Sequence, residues 1–368
     1  MAYVAARGGE EAIQHAERLY HLLNGPVDAE LVRAVERHMP YLLDRVMGEG
    51  SLYAPELAAL ALAQTGGDLY EAVLLLRAFR STQPRIGYAL PASSEHSVTV
   101  RRISAAFKDI PGGQILGPTL DYSHRILRLD LLDGTAAPEA KTFEPAPTPA
   151  PPSYPPVAEW QRLSGLLEPL PQRPPVDPAE LPDVTREPIA FPAPRAHRLQ
   201  SLARADTGGV LALGYASMRG YGLAHPTVNE VRLAYADVRL RHPVTGAPFS
   251  AGRVRVSQCE VVSQEDGKLG LGFAATLGWN EAKLISASML DLEMSKPSPH
   301  PAHEEEFVLY HTEPVESSGF CVHYKLPHYV TFNSGLDTLR RIRRNDVQTD
   351  EQAPAQLDGK PRQEEVPA

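Results

Sequence analysis

The chain has 368 residues, of which 43% are hydrophobic and 22% charged, and a formal net charge of −9. That balance is ordinary for a folded protein and excludes a mainly disordered or fibrous chain, while the length allows two or three compact units of ~100–200 residues. Net acidity excludes a general nucleic-acid coat, and no apolar run approaches the ~20 residues that cross a bilayer.

Taken in chain order, residues 1–92 read as a helical region. Ile13, Ala16, Leu19, Leu22 and Leu23 recur at helical spacing before the stop Asn24-Gly25-Pro26. Asp28 is placed to cap a second helix, and Pro40 inside its pattern predicts a kink or two shorter helices. Pro55 suits the first turn of PELAALALAQ, Gly66-Gly67 ends it, and Asp68 caps LYEAVLLLRAF. Short connections of this kind favour antiparallel packing into a bundle.

Residues 93–137 change character: SVTVRRIS alternates as a strand does, and a stretch rich in turn signals follows. Residues 138–194 hold 17 of the 35 prolines, which predicts a solvated linker or surface strap of extended chain. Trp160, Leu163, Leu166 and Leu167 are candidate anchors within it.

Residues 195–345 read as a mixed region. AHRLQSLARADTGGVLALGYASMRGYG suggests a helix, a Gly-Gly break and a second helix, while TVNEVRLAYADVRL and RVRVSQCEVVSQ suggest paired strands. An amphipathic helix from Asn280 to Leu292 follows, then a short strand HYVTF and a helix from Asn333. Residues 346–368 read as a frayed tail. Helices first and mixed elements later make the expected fold class α+β, an N-terminal helical bundle followed by a mixed α/β region with a long proline-rich insertion.

Two segments carry candidate chemistry. In RRISAAFKDIPGGQILGPTLDYSHR, Arg101, Arg102 and Lys108 precede the Gly112-Gly113 turn, and Asp121, His124 and Arg125 follow it. Glycine turns expose backbone N–H groups to phosphate oxygens and paired cations neutralise them, although the spacing matches neither a P-loop nor a dinucleotide fingerprint. Asp121 and His124 offer a carboxylate and an imidazole for acid/base work where they converge. In GFCVHYKLPHYVTF, His323 and His328 are five residues apart, about 140° of rotation on a helix, so sharing a metal would need a turn near Pro327. Cys321 is a nearby further donor, and Cys259 is the only other cysteine, which fits a reducing compartment rather than a disulfide framework. The opening MAYVAARGGEEAIQHAERLY lacks the apolar core of a secretory signal, so the expected location is the cytoplasm.

EGSLYAPELAALALAQTGGDLYEAVLLLRAFRST, RRISAAFKDIPGGQILGPTLDYSHR, LARADTGGVLALGYASMRGYGLAHPTVNE and ESSGFCVHYKLPHYVTF closely resemble the I subunit (PhnI) family of the bacterial carbon–phosphorus lyase machinery. The resemblance runs from about Tyr3 to Arg341 and is patchy across the proline-rich tract. It implies phosphonate catabolism: with G, H and L subunits, displacement of the purine of ATP or GTP by methylphosphonate to give α-D-ribose 1-methylphosphonate 5-triphosphate. It also implies a purine nucleosidase activity of the subunit itself, and a central homodimer in a core complex with G, H and the radical J subunit. The family's zinc-binding histidine pair, at the contact with J, falls on His323 and His328. Set against that chemistry, His124 is the candidate proton donor to the leaving base, and Asp121 the anion or base beside the sugar. Arg101, Arg102, Lys108, Gly112, Gly113 and Arg125 are the candidates for the triphosphate, with Mg²⁺ accompanying the nucleotide. The rival expectation is a non-catalytic scaffold subunit with an interface metal site.

Overall fold

A computed structural model describes residues 9–93, 96–135, 154–171, 176–221, 225–265, 267–326 and 330–351. The chain divides into two units, residues 1–19 with 319–368, and residues 20–318. Helix α1 (Glu10–Asn24) carries no buried residue. Asp28 accepts from the backbone N–H groups of Glu30 and Leu31 and so starts α2 (Ala29–His38). Pro40 opens α3 (Pro40–Gly50) at a fresh first turn, giving the two shorter helices that its position predicts. In α4 (Pro55–Gln64), Ala58, Ala59, Ala61 and Ala63 are buried, and such small side chains let neighbouring helices approach closely. Asp68 caps α5 (Leu69–Ser81). Leu43, Val46, Met47, Leu62, Val73 and Leu76 fill the core shared by α3, α4 and α5.

Strands β1 (Ser97–Ile103), β2 (Thr227–Arg241), β3 (Pro248–Glu265) and β4 (Lys268–Leu277) form one antiparallel sheet in sequence order. The architecture is therefore mixed α+β. Between β1 and β2 the chain forms α6 (Val157–Leu163), α7 (Arg195–Arg204) and α8 (Thr207–Ala216). The described part of the proline-rich tract is anchored at a few points, where Val157, Ala158, Gln161 and Leu167 are buried and the Leu269 N–H donates to the Leu166 carbonyl, while most of its residues are exposed or half-buried.

After the sheet come α9 (Glu281–Met294), α10 (Glu305–His311), α11 (Pro314–His323) and α12 (Val330–Glu351). Val231, Cys259, Val261 and Ala274 form one sheet face, against which α9 packs Leu284, Ala287 and Leu290. Polar groups of α9 that enter this core find partners: Asp291 accepts from Arg195 and from the Phe273 N–H, and Lys283 donates to the Ala203 carbonyl at 2.8 Å. Among the described residues no helix is long and apolar enough to cross a membrane.

Three local expectations change. The break after α7 falls at Ala205-Asp206, and Gly208-Gly209 lie inside α8, because Asp206 takes the Gly209 N–H at 2.6 Å as a helix cap. Val330 to Phe332 belong to α12 rather than to a strand, the helical pattern that follows outweighing their β-propensity. Strand β4 lies outside the predicted strands, since Gly270 and Gly272 interrupt its alternation. Gly272 is there for space: a Cβ would stand 2.1 Å from the Ser288 carbonyl oxygen of α9. Gly272→Ala is therefore expected to cost about 1–3 kcal/mol through overpacking, read as a lower urea midpoint; an unchanged midpoint would refute this contact.

Candidate functional site

Antiparallel partners share a sheet face, so the pairing Arg101–Leu233 places Arg101 with α9 while Arg102–Arg232 places Arg102 on the opposite face. On that opposite face Arg102 and Glu230 form a fully buried ion pair. Arg232 donates to the same Glu230 oxygen at 2.7 Å. The first amides of α6 complete the cluster, Val157 N–H donating to Glu230 and Ala158 N–H to Glu260. Gln161 and Asn229 exchange two amide hydrogen bonds of 2.7 and 3.0 Å beside them. Burial, and then the neighbouring Glu230, push the Glu260 carboxyl up to about 7.

A cavity of about 450 Å³ is lined by Arg232, Ala234, Val256, Gln258 and Ala275 from this face and by Gly48, Ala203 and Thr276 from the α9 side. Sequence reading passed over this cavity, because its walls are small residues that carry no motif. Strand alternation alone does place Arg232 and Ala234 on one face.

Arg102 and the Gly112-Gly113 turn do not form the expected phosphate cradle. Arg102 Nη1 donates to the Pro111 and Gly113 carbonyls, so the turn offers oxygens to an internal cation. The Gly113 N–H is spent on the Ile110 carbonyl. Gly112 has φ +84°, and a Cβ there would overlap the Tyr154 ring, which accounts for the glycine on steric grounds.

On the α9 side the structure does assemble Arg101, Asp121 and Arg125. Arg101 Nη2 and Arg125 Nη2 each lie 2.9 Å from an Asp121 oxygen, and the Thr119 hydroxyl donates to Asp121 at 2.6 Å. The Thr119 hydrogen bond, with the two guanidiniums, holds the Asp121 carboxyl below its ordinary value. All three side-chain nitrogens of Arg101 are engaged, by Glu281, the Leu116 carbonyl and Asp121. Lys108, His124 and Arg125 are exposed.

His323 ends α11, its ring 4.0 Å from that of Tyr324, and the chain turns directly after it. Cys321 is exposed nearby, whereas His328 lies outside the described residues. Among the described residues no three His, Cys, Asp or Glu side chains are grouped to hold a metal.

The raised Glu260 pKa carries a sign. A carboxyl at 4.5 when unfolded and about 7 when folded takes up a proton on folding. The stability it contributes is complete below pH 4.5 and lost as pH rises through 7. Glu260→Gln is expected to flatten the fall in urea midpoint between about pH 5 and 8. An identical slope in the variant would exclude Glu260 as its source.

The family model described as "Bacterial phosphonate metabolism protein (PhnI)" matches residues 2–346. HtxH of Stutzerimonas stutzeri, which bears a provisional name as a C-P lyase subunit protein, is 45% identical over 362 residues, 92% of this chain and 95% of its own length. Two proteins named alpha-D-ribose 1-methylphosphonate 5-triphosphate synthase subunit PhnI are similar over comparable spans. That of Rhizobium meliloti (strain 1021) is 40% identical over 93% of this chain and 95% of its own. That of Escherichia coli (strain K12) is 39% identical over 92% of this chain and 98% of its own. With matches of this length and identity, the chain belongs to the PhnI family of bacterial phosphonate metabolism proteins.

Proposed function

We propose that the chain is the subunit of an α-D-ribose 1-methylphosphonate 5-triphosphate synthase that breaks the purine N-glycosidic bond of ATP or GTP. The observation that carries this reading is Asp121, ionised between Arg101 and Arg125 and three residues from the exposed His124. As the bond from the anomeric carbon to the base breaks, its electron pair leaves with the purine and positive charge grows on the ribose. A carboxylate kept ionised stabilises that charge electrostatically, and its low pKa makes it a poor proton donor. His124 is left to protonate the departing base. A methylphosphonate oxygen then bonds to the anomeric carbon; water in its place gives ribose 5-triphosphate.

Arg101 positions Asp121, so the triphosphate, with its Mg²⁺, falls to the exposed Arg125 and Lys108. Asp121 is 48% exposed, and the surrounding Leu120, Tyr122, Ile126 and Leu127 are uncovered in the single chain. A sugar cation needs shelter from water, so companion subunits, G, H and L in this reading, complete the site. Asp121→Asn in the assembled complex is expected to lower adenine release from ATP and methylphosphonate by at least ~100-fold, followed by chromatography and phosphorus NMR. Unchanged release with intact assembly would move the chemistry elsewhere and leave the chain a scaffold.

Zinc belongs to the same proposal. His323 and His328 would supply two nitrogen ligands at an interface with the J subunit, the remainder coming from that partner or water. His323→Ala is expected to remove zinc from the purified complex, measured by plasma mass spectrometry, and to weaken J association. Full zinc content in the variant would refute this assignment.

A further inference from the structure

Four arginines meet where α5, α7 and the segment leading into α7 come together, and none of them has a part in the reading above. Arg77 and Arg80 stand three residues apart on α5 and so share a face. Arg77 is tied inward: its Nε donates to the Glu49 carbonyl and its Nη2 to the Arg204 carbonyl, while its Nη1 pairs with Glu313. Arg85, four residues beyond α5, donates through Nη2 to Asp183 at 2.6 Å and to the Thr185 hydroxyl. Arg204, the last residue of α7, donates through Nη1 to the Val184 carbonyl. Residues 183–185 are therefore gripped between Arg85 and Arg204, and Arg80 lies in the field of Arg77, Arg85 and Asp183.

The carboxylates of the cluster are already spent. Glu313 accepts from Arg77 and from the backbone N–H groups of Val315 and Glu316. Asp183 accepts from Arg85 and from both the hydroxyl and the N–H of Thr185. Four guanidiniums set against these two carboxylates leave two positive charges in excess. Burial, and then the neighbouring Arg85, hold the Arg80 guanidinium below its ordinary value, and burial with Arg77 pushes Arg204 down to about 10.

The open donors belong to Arg80 and Arg85. Arg80 is half-buried, and its guanidinium makes no hydrogen bond among the described residues. Arg85 has committed only Nη2, and the Tyr88 ring, 4.8 Å from its guanidinium carbon, steadies its plane. Guanidinium forks of this kind are matched by a small anion whose oxygens accept in pairs. The size of the excess selects a dianion, and its confinement to one cluster selects an ion that carries both charges on a single group. We infer that Arg80 and Arg85 bind one dianionic tetrahedral oxyanion, a phosphate ion or the phosphoryl group of a monoester, at a site separate from Asp121 and its partners Arg101 and Arg125.

Equilibrium dialysis of radiolabelled inorganic phosphate against the full chain, at mildly alkaline pH and constant ionic strength, tests this. Expected is saturable binding of one phosphate per chain, weakened about tenfold or more by Arg80→Gln. Arg80→Lys, which keeps the charge and loses the fork, is expected to weaken it to a lesser degree. Arg33→Gln, at an exposed arginine of α2 outside the cluster, is expected to bind as the wild type does. Unlabelled sulfate and phenyl phosphate are expected to compete, and succinate, whose charges sit on separate groups, to compete poorly. Whether free phosphate or the ester competes better identifies the source of the ligand, and either preference supports the site. Thermal unfolding checks that the variants are folded, and if Arg80→Gln fails to fold, Arg80→Lys decides. Absence of saturable binding, wild-type affinity in the folded Arg80 variants, an equal loss in Arg33→Gln, or displacement by succinate as effective as that by sulfate would each overturn the proposal.

Discussion

The guanidinium of Arg102 and the carboxylate of Glu230 meet without exposure to solvent, and the glycine turn and the chain entering α6 are arranged to keep them satisfied. Removing two such charges from water costs several kcal/mol per ion, which their attraction offsets only when the remaining donors and acceptors are also bonded. The chain meets this condition with the Pro111 and Gly113 carbonyls from the glycine turn, the Pro155 carbonyl from the proline-rich tract, and the Val157 N–H from α6. None of these segments can shift without stranding a buried charge, a loss on the order of 3–5 kcal/mol. The pair therefore determines where the glycine turn sits, how the tract docks, and which way Arg232 is held beside the cavity.

The pleat of β1 turns this constraint into a division of labour. Arg101 and Arg102 are neighbours in sequence and opposite in direction, so one strand serves two faces with different chemistry. On the α9 face, Arg101 reaches a partly exposed carboxylate, Asp121, to which solvent has access. On the other, Arg102 belongs to a sealed cluster that serves as scaffold. An acidic chain can thus present a cationic surface and a nearly apolar cavity a few residues apart.

Much of this organisation is written locally. Asp28, Asp68, Pro40 and Pro55 act through one or two turns of backbone, and helix starts follow from them directly. The strand alternation in SVTVRRIS is also legible, yet Arg101 and Arg102 read together as triphosphate candidates, and only the pairing with β2 puts them on opposite faces. What was not legible depends on distant partners. Gly112 reads as a phosphate turn until Tyr154 is seen against it, and composition leaves the proline-rich tract as linker or strap without showing that Glu230 and Glu260 take the first amides of α6. Gly272 reads as a strand breaker because only the approach of α9 explains its missing side chain. Composition describes a segment's independence, whereas these segments owe their order to charges contributed from elsewhere.

The cavity has a structural cause of the same kind. Gly48 near the end of α3 and Ala203 near the end of α7 line it opposite the sheet, where the helical core and the sheet core come together. Polar contacts join those two cores. The buried Glu49 accepts from Arg45 and from both the N–H and hydroxyl of Thr207, placing a negative charge at the start of α8, where the helix dipole favours it. Arg77 spans from the Glu49 carbonyl to the Arg204 carbonyl and pairs with Glu313. Directional contacts of this type fix the distance between the cores and resist the collapse by which apolar surfaces would close the gap. A cavity bounded largely by small side chains and framed by hydrogen bonds is therefore a consequence of how the cores are joined.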